Sequence, residues 1–508
     1  MSNRISRRDL VKAGLAAPVV AALGSAMGES GPAAAADELA TLDAVAQADL
    51  VKKGEVSPRE LVEAAIKRIE AVNPKLNAVI DFRFEKALAL ASSKELPNGP
   101  LKGVPILVKD VAIAGEANYL GSRLLAKVGL LPTQTDEFVH RAEKAGMIIL
   151  GRTNVPELMS SPTTESLLHG PARNPWNPEH STGGSSGGAA SAVASLMVAA
   201  AQASDGGGST RIPASACGVV GLKPSRGRVS SGPSGAEWMD ITASKSWGTR
   251  TVRDTALLLD VVAGPGPGDT VTAKPQARPY LAETLTEPGK LRIGFMRQLP
   301  GNTMPLDPEA VEAVERAAKL LSSLGHHVEE SHPAPLNTTE HFELIGQYWP
   351  IKVARRLGDA EKKLGRPIRE DELEPGVYRL LKAAREASVF DFGATLQRIQ
   401  DYTQRMLAWY GQGFDLLLTP TTGRAAPPLG VLNVPGVSRD LMLWGGFTPL
   451  VNLTGQPAIS LPLHWTKEGM PLGVQLVADI WREDLLVRVA TQLEQAQPWK
   501  QRLPAVRG

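Results

Sequence analysis

A single large α/β domain, with a mixed, mainly parallel central sheet flanked by helices, is predicted by three features of the sequence. Short apolar runs alternate with helical patterns along most of the chain. A composition of 43% hydrophobic and 21% charged residues over 508 positions can bury a large core. Strand-like runs also lie on both sides of the Pro- and Gly-rich segment 265–279, so that segment reads as a surface excursion of one domain.

The elements follow in order. In "SPRELVEAAIKRIEAVNP" a proline follows Ser57 and Glu60 stands three positions after it, a capping box that starts an amphipathic helix and the folded body. "GVPILVKD" reads as a strand, and the helix "FVHRAEKAG" leads into the strand "MIILGRTN". "GGAASAVASLMVAAA", residues 187–201, reads as a helix of small residues. "KLRIGFM", the helix "DPEAVEAVERAAKLLSSLG", "FDLLLTP", "PAISLPL" and "LGVQLVA" continue the alternation. Residues 340–410 read mostly as helix, and the aromatic pairs Tyr348–Trp349 and Trp409–Tyr410 read as core. No short-period repeat is visible.

Charge excludes one class of function. With 55 Lys+Arg against 53 Asp+Glu, the formal net charge of +2 leaves no footprint for nucleic acid. The single cysteine, Cys217, excludes an intramolecular disulfide and a Cys-based zinc site, and its setting "ACGVVGL" reads as a buried core thiol. There is no HExxH or cysteine-cluster motif for a metal. Residues 1–36 differ from the rest: Arg7 and Arg8 precede an alanine-rich apolar run too short for a stable membrane span, and small residues suited to cleavage end near Ala36. This segment resembles a twin-arginine export signal. It implies a periplasmic or secreted protein whose folded domain is residues 37–508.

Two glycine-framed serine loops carry the chemistry. "STGGSSGG", 181–188, and "ASDGGGSTRIPAS", 203–215, suit neither helix nor strand, because glycine loses more backbone entropy than any other residue. Backbone N–H groups of Gly206, Gly207, Gly208 and Ser209 can converge on one oxyanion only where side chains leave room. Asp205 and Arg211 flank that loop and are spaced to pair across its base. Taken alone, the loop is equally readable as an exposed Gly/Ser turn. None of the eight histidines sits in a strand-to-loop setting next to glycines, although a histidine base remote in sequence stays open. Lys109, at the end of "VPILV", offers another base if it projects into a poorly solvated site, where burial disfavours the ammonium form. As a single residue it also reads as a surface lysine.

Together, Lys109 in "GVPILVKD", Ser185 in "GGSSGG" and Ser209 in "DGGGSTRIPA" resemble the amidase signature family of serine hydrolases. "GRTNVPEL", "NPWNP", "CGVVGLKPSRGRVS", "NLTGQPAISLP" and "GMPLGVQLVA" agree, so the resemblance spans nearly everything after the signal. Within that family the chain looks most like stand-alone bacterial amidases, including hydrolases of cyclic nylon oligomers. The resemblance implies Ser209 as nucleophile, Ser185 as a bridging serine preceded by a cis peptide bond, and Lys109 as base, acting without cofactor or metal on a small-molecule amide. Two other readings stand beside it. One is the glutamine-hydrolysing subunit of a tRNA-dependent amidotransferase, against which the export signal argues. The other is a nucleotide- or anion-binding protein, although neither loop fits GxxxxGK[ST]. A homo-oligomer is compatible with all three. Segments 120–165, 238–248, 340–410 and 444–448 are expected to shape the substrate pocket, with Trp238, Trp444 and Phe447 giving it apolar character.

Overall fold

Residues 38–109, 111–233, 240–433 and 438–508 are described by a computed structural model. Residues 1–36, which resemble an export signal, and Trp238 lie outside the described residues. Eleven strands form one sheet: β1 (Val79–Phe82), β2 (Pro105–Val108), β3 (Ile148–Thr153), β4 (Ala200–Asp205), β5 (Val220–Lys223), β6 (Ser244–Thr249), β7 (Arg292–Phe295), β8 (His327–Glu330), β9 (Leu416–Pro420), β10 (Ala458–Trp465) and β11 (Pro471–Ala478). Their spatial order is β1-β3-β2-β4-β6-β5-β10-β11-β9-β7-β8. Parallel pairing is concentrated in two wings, β3-β2-β4 and β9-β7-β8. Antiparallel pairs from β4 to β9 join the wings, and β10 and β11 close as a hairpin in which the Thr466 N–H donates to Met470 O at 2.8 Å.

Helices cover both faces, so strands such as β2 and β11 are buried along their whole length. The ten that matter here are α1 (Pro58–Leu76), α2 (Gly187–Ala194), α3 (Arg211–Cys217), α4 (Val252–Val262), α5 (Pro308–Ser323), α6 (Glu340–Leu364), α7 (Pro375–Glu386), α8 (Val389–Leu407), α9 (Pro449–Thr454) and α10 (Glu483–Ala496). Alternation along β2 sends Ile106 and Val108 to the core under α4, α5 and α10, and Leu107 to the core under α1, α2 and α3. The capping box of α1 is formed by Ser57 and Glu60 as the sequence indicates. Segment 265–279 runs along the surface, mostly exposed, and residues 340–410 are largely the helices α6, α7 and α8.

One predicted element divides. The helix expected over 187–201 ends at Ala194, Leu196 takes a positive φ of 67°, and Ala200 opens β4. The alanines there favour a helix, but a slot between β2 and β6 is filled by pairing this segment into the sheet, and tertiary context outweighs propensity. No helix among the described residues is long and apolar enough to cross a membrane.

Candidate active site

The parallel pairing of β2 with β4 puts their carboxyl ends at one edge of the sheet, where ligands of open α/β sheets bind. Lys109 is the residue after β2, and its N–H donates to the Gln202 side chain at 2.7 Å. Its Nζ lies 2.9 Å from Ser185 Oγ and 3.0 Å from Ser204 Oγ. Lys109 and Ser185 are each 1% exposed and Ser209 is 9% exposed, so this contact lies out of bulk water and Ser209 is the member nearest to it. The peptide bond between Gly184 and Ser185 is cis. Two loops are clasped together here: the Ser186 N–H donates to Ser209 O at 3.2 Å, and Ser186 Oγ donates to Ser204 O at 3.3 Å.

Asp205 and Arg211 brace the glycine loop from below. Arg211 donates from Nε to Asp205 Oδ2 and from Nη2 to Oδ1, both at 2.9 Å, with both side chains fully buried. The Gly208, Thr210 and Arg211 N–H groups and Asn452 Nδ2 also donate to this carboxylate. Burial alone would raise the Asp205 carboxyl, but Arg211 and Asn452 hold it well below the usual carboxylate range. Arg211 reaches on to Gln475 Oε1 at 2.6 Å and Asn452 Oδ1 at 2.6 Å, tying the loop to β11 and α9. Of the four N–H groups expected to face an oxyanion, that of Gly208 points inward to Asp205 Oδ1 at 2.7 Å. Glycine is required there for other reasons: φ is +127°, and a Cβ would collide with the Thr448 and Ile212 side chains.

The amidase family model matches residues 60–487. The chain belongs to the amidase signature family. It is 41% identical over 477 residues to the 6-aminohexanoate-cyclic-dimer hydrolase of Paenarthrobacter ureafaciens, covering 91% of this chain and 96% of the relative. Among solved structures, a 6-aminohexanoate cyclic dimer hydrolase complexed with substrate has a TM-score of 0.88 at 40% identity, covering 92% of this chain and all of that one. A bacterial aryl acylamidase of the amidase signature family has a TM-score of 0.83 at 28% identity, covering 91% of this chain and 97% of that one. The protein is therefore a hydrolase of amide bonds.

For an amidase signature enzyme, several residues that shape this site lie in stretches singled out above, but their contacts follow only from the fold. Ser204 sits beside Lys109 because β4 runs parallel to β2. Asn452 and Thr448 arrive from more than 230 positions away; Thr448 Oγ1 donates to Gly207 O at 2.8 Å. Segment 444–448 thus reaches the glycine loop, but through Thr448. Trp444 and Phe447 are fully buried: Trp444 Nε1 donates to Pro162 O at 2.8 Å, and Phe447 packs in the core beside Gln475. Trp349 packs against the core on one side and has a second neighbour besides. Tyr348, Trp409 and Tyr410 are core residues, whereas the half-buried Trp349 ring lies over Gly206 and Gly207. The described hydrogen bonds of the histidines lead elsewhere, His464 to Glu309 and His326 to Gln492. Cys217 is buried, its thiol pushed up by desolvation.

Proposed function

We propose that this hydrolase cleaves carboxylic amides through an acyl-enzyme on Ser209, with Ser185 relaying the proton to Lys109. The observation that carries this reading is the buried 2.9 Å contact between Lys109 Nζ and Ser185 Oγ, clasped through Ser186 to the Ser209 loop. Ser209 Oγ attacks the carbonyl carbon as its proton passes to Ser185 and that of Ser185 passes to the neutral amine of Lys109. The tetrahedral oxyanion rests on the N–H groups of Gly206, Gly207 and Ser209, that of Gly208 being spent on Asp205. Collapse expels the amine with the proton returned through Ser185. Water then adds to the acyl carbon along the same relay and releases the acid. Incubation with an activated acyl anilide followed by peptide mass analysis should place the acyl group on Ser209, with none on the Ser209→Ala protein. Acylation of another residue would overturn the assignment.

For substrate, we infer an uncharged or weakly charged amide with an apolar acyl part. The 6-aminohexanoate cyclic dimer named for the relatives is such a molecule, and the half-buried Trp349 ring supplies an apolar surface beside Gly206 and Gly207. A panel of peptide amides, anilides and linear or cyclic nylon oligomers tests this; turnover confined to strongly anionic amides contradicts it. Arg7, Arg8 and the apolar run after them support export by the twin-arginine route. Replacing both arginines with lysine should trap the protein inside the cell, and undiminished export would exclude that route.

A further inference from the structure

A second lysine stands against the glycine loop at Gly206. Lys352, on α6, is 4% exposed. Its Nζ lies 2.6 Å from Asp240 Oδ1 and 3.4 Å from Thr242 Oγ1. A Cβ built on Gly206 would stand 2.8 Å from Lys352 Nζ and 3.2 Å from the Trp349 ring, so the bare Gly206 peptide is what lets the ammonium approach. Trp349, one turn earlier, covers the lysine with Nζ 4.9 Å from the ring centre. The turn from Asp240 to Thr242, just ahead of β6, is itself tied to the brace, because Asn452 Nδ2 donates both to Thr242 O at 3.0 Å and to Asp205 Oδ1 at 2.9 Å.

Stability does not explain this arrangement. A buried ion pair costs about as much in desolvation as it returns, and a well-packed apolar pair of the same volume serves a fold equally well. Placement does explain it. Arg355 Nη2 also stands 4.0 Å from Asp240 Oδ2, so two cationic side chains share one carboxylate; burial pulls the Lys352 ammonium below the usual lysine range, and Asp240 draws it back up. Burial alone would raise the Asp240 carboxyl, yet Lys352 and Arg356 hold it low, so the carboxylate faces the lysine in its ionised form.

We propose that Lys352 is a positioning residue for acylation: held by Asp240 and pressed on Gly206, it fixes the first peptide of the oxyanion loop and sets a positive charge behind it. The effect falls on the tetrahedral state, where the negative charge develops, and leaves the neutral ground state nearly untouched. This rests on the reading of Ser209 and its loop given above.

Phenylboronic acid separates the two states. Its boron accepts the Ser209 oxygen, the hydroxyl proton passes into the relay, and the product is a tetrahedral anion in the place of the oxyanion. Lys352→Met is compared with Lys352→Met/Asp240→Asn, which removes both charges of the pair and leaves no unpaired carboxylate at position 240. Both should bind the boronate about tenfold more weakly, as expected for loss of an electrostatic contribution to an oxyanion site. KM for a neutral anilide should stay within about threefold, since ground-state binding is unaffected, and the double variant should melt near the unmodified protein. Unchanged boronate affinity in the double variant would overturn the proposal. So would parallel losses in boronate affinity and KM, the mark of a merely structural role. Ser209→Ala should form no adduct; an adduct on that protein would overturn the serine reading and, with it, the role of Lys352 in acylation at Ser209.

Discussion

Asp205 and Arg211, six positions apart, carry a loop that glycine alone could not hold. The three glycines supply approach and conformational freedom but no packing, so the fixed geometry has to come from the pair beneath them. Because every oxygen of Asp205 is bonded in a fully buried place, removing its partner leaves an uncompensated charge. Arg211→Met should cost about 3–5 kcal/mol in a denaturant titration. Asp205→Asn/Arg211→Met should recover part of that loss, and the single variant losing less than the double would contradict the account. The pH dependence has a definite sign. The carboxyl is depressed below its ordinary 3.8, so the stability it contributes is complete above that value and is lost as the solution is acidified further.

At the scale of elements, the helical layer α6–α8 is fastened to the site by Glu157. Its carboxyl is buried in the short turn after β3, where Oε1 accepts from Ser122 Oγ at 2.7 Å and Oε2 from the Glu374 N–H at 2.6 Å, just ahead of α7. Arg356 of α6 adds a bond to Leu158 O at 2.7 Å. Burial pushes the Glu157 carboxyl up to about 7, outweighing the opposing pull of the Glu374 N–H, Ser122 and Arg123. A raised carboxyl stabilises the fold fully below its unfolded value of 4.5 and loses that contribution as pH rises through about 7. Glutamine keeps both bonds, since its amide nitrogen can donate to Ser122 Oγ, and never ionises. Glu157→Gln should therefore match the unmodified protein near pH 4 and exceed it near pH 8, by on the order of 1–2 kcal/mol. Equal melting temperatures at both pH values would show that the carboxyl is not strained by burial.

Across the whole molecule, the sequence made legible whatever depended on local chemistry. Lys109, Ser185 and Ser209 each sit in a distinctive glycine or strand context, and the Asp205–Arg211 pairing follows from their spacing. Strands with strong apolar runs, such as β2, β3 and β11, are visible for the same reason. What escaped depends on long-range packing. The alanines opening β4 carry a helical preference that only sheet neighbours override, and Trp349 and Lys352 look like ordinary residues of an amphipathic helix until α6 is laid across residues 206 and 207. The wings of parallel strands are likewise bridged by antiparallel pairs fixed by contacts far apart in the chain.

The central claim is that Lys109 and Ser185 act on Ser209 as one unit, and the rate of the acylation burst with an activated anilide tests it most directly. Lys109→Ala and Ser185→Ala should each slow the burst severely, by about 10²-fold or more as loss of a general base implies, and the double variant should be scarcely slower than the worse single one. Rates that multiply, each substitution acting independently of the other, or a full burst in the Lys109→Ala protein, would contradict the relay.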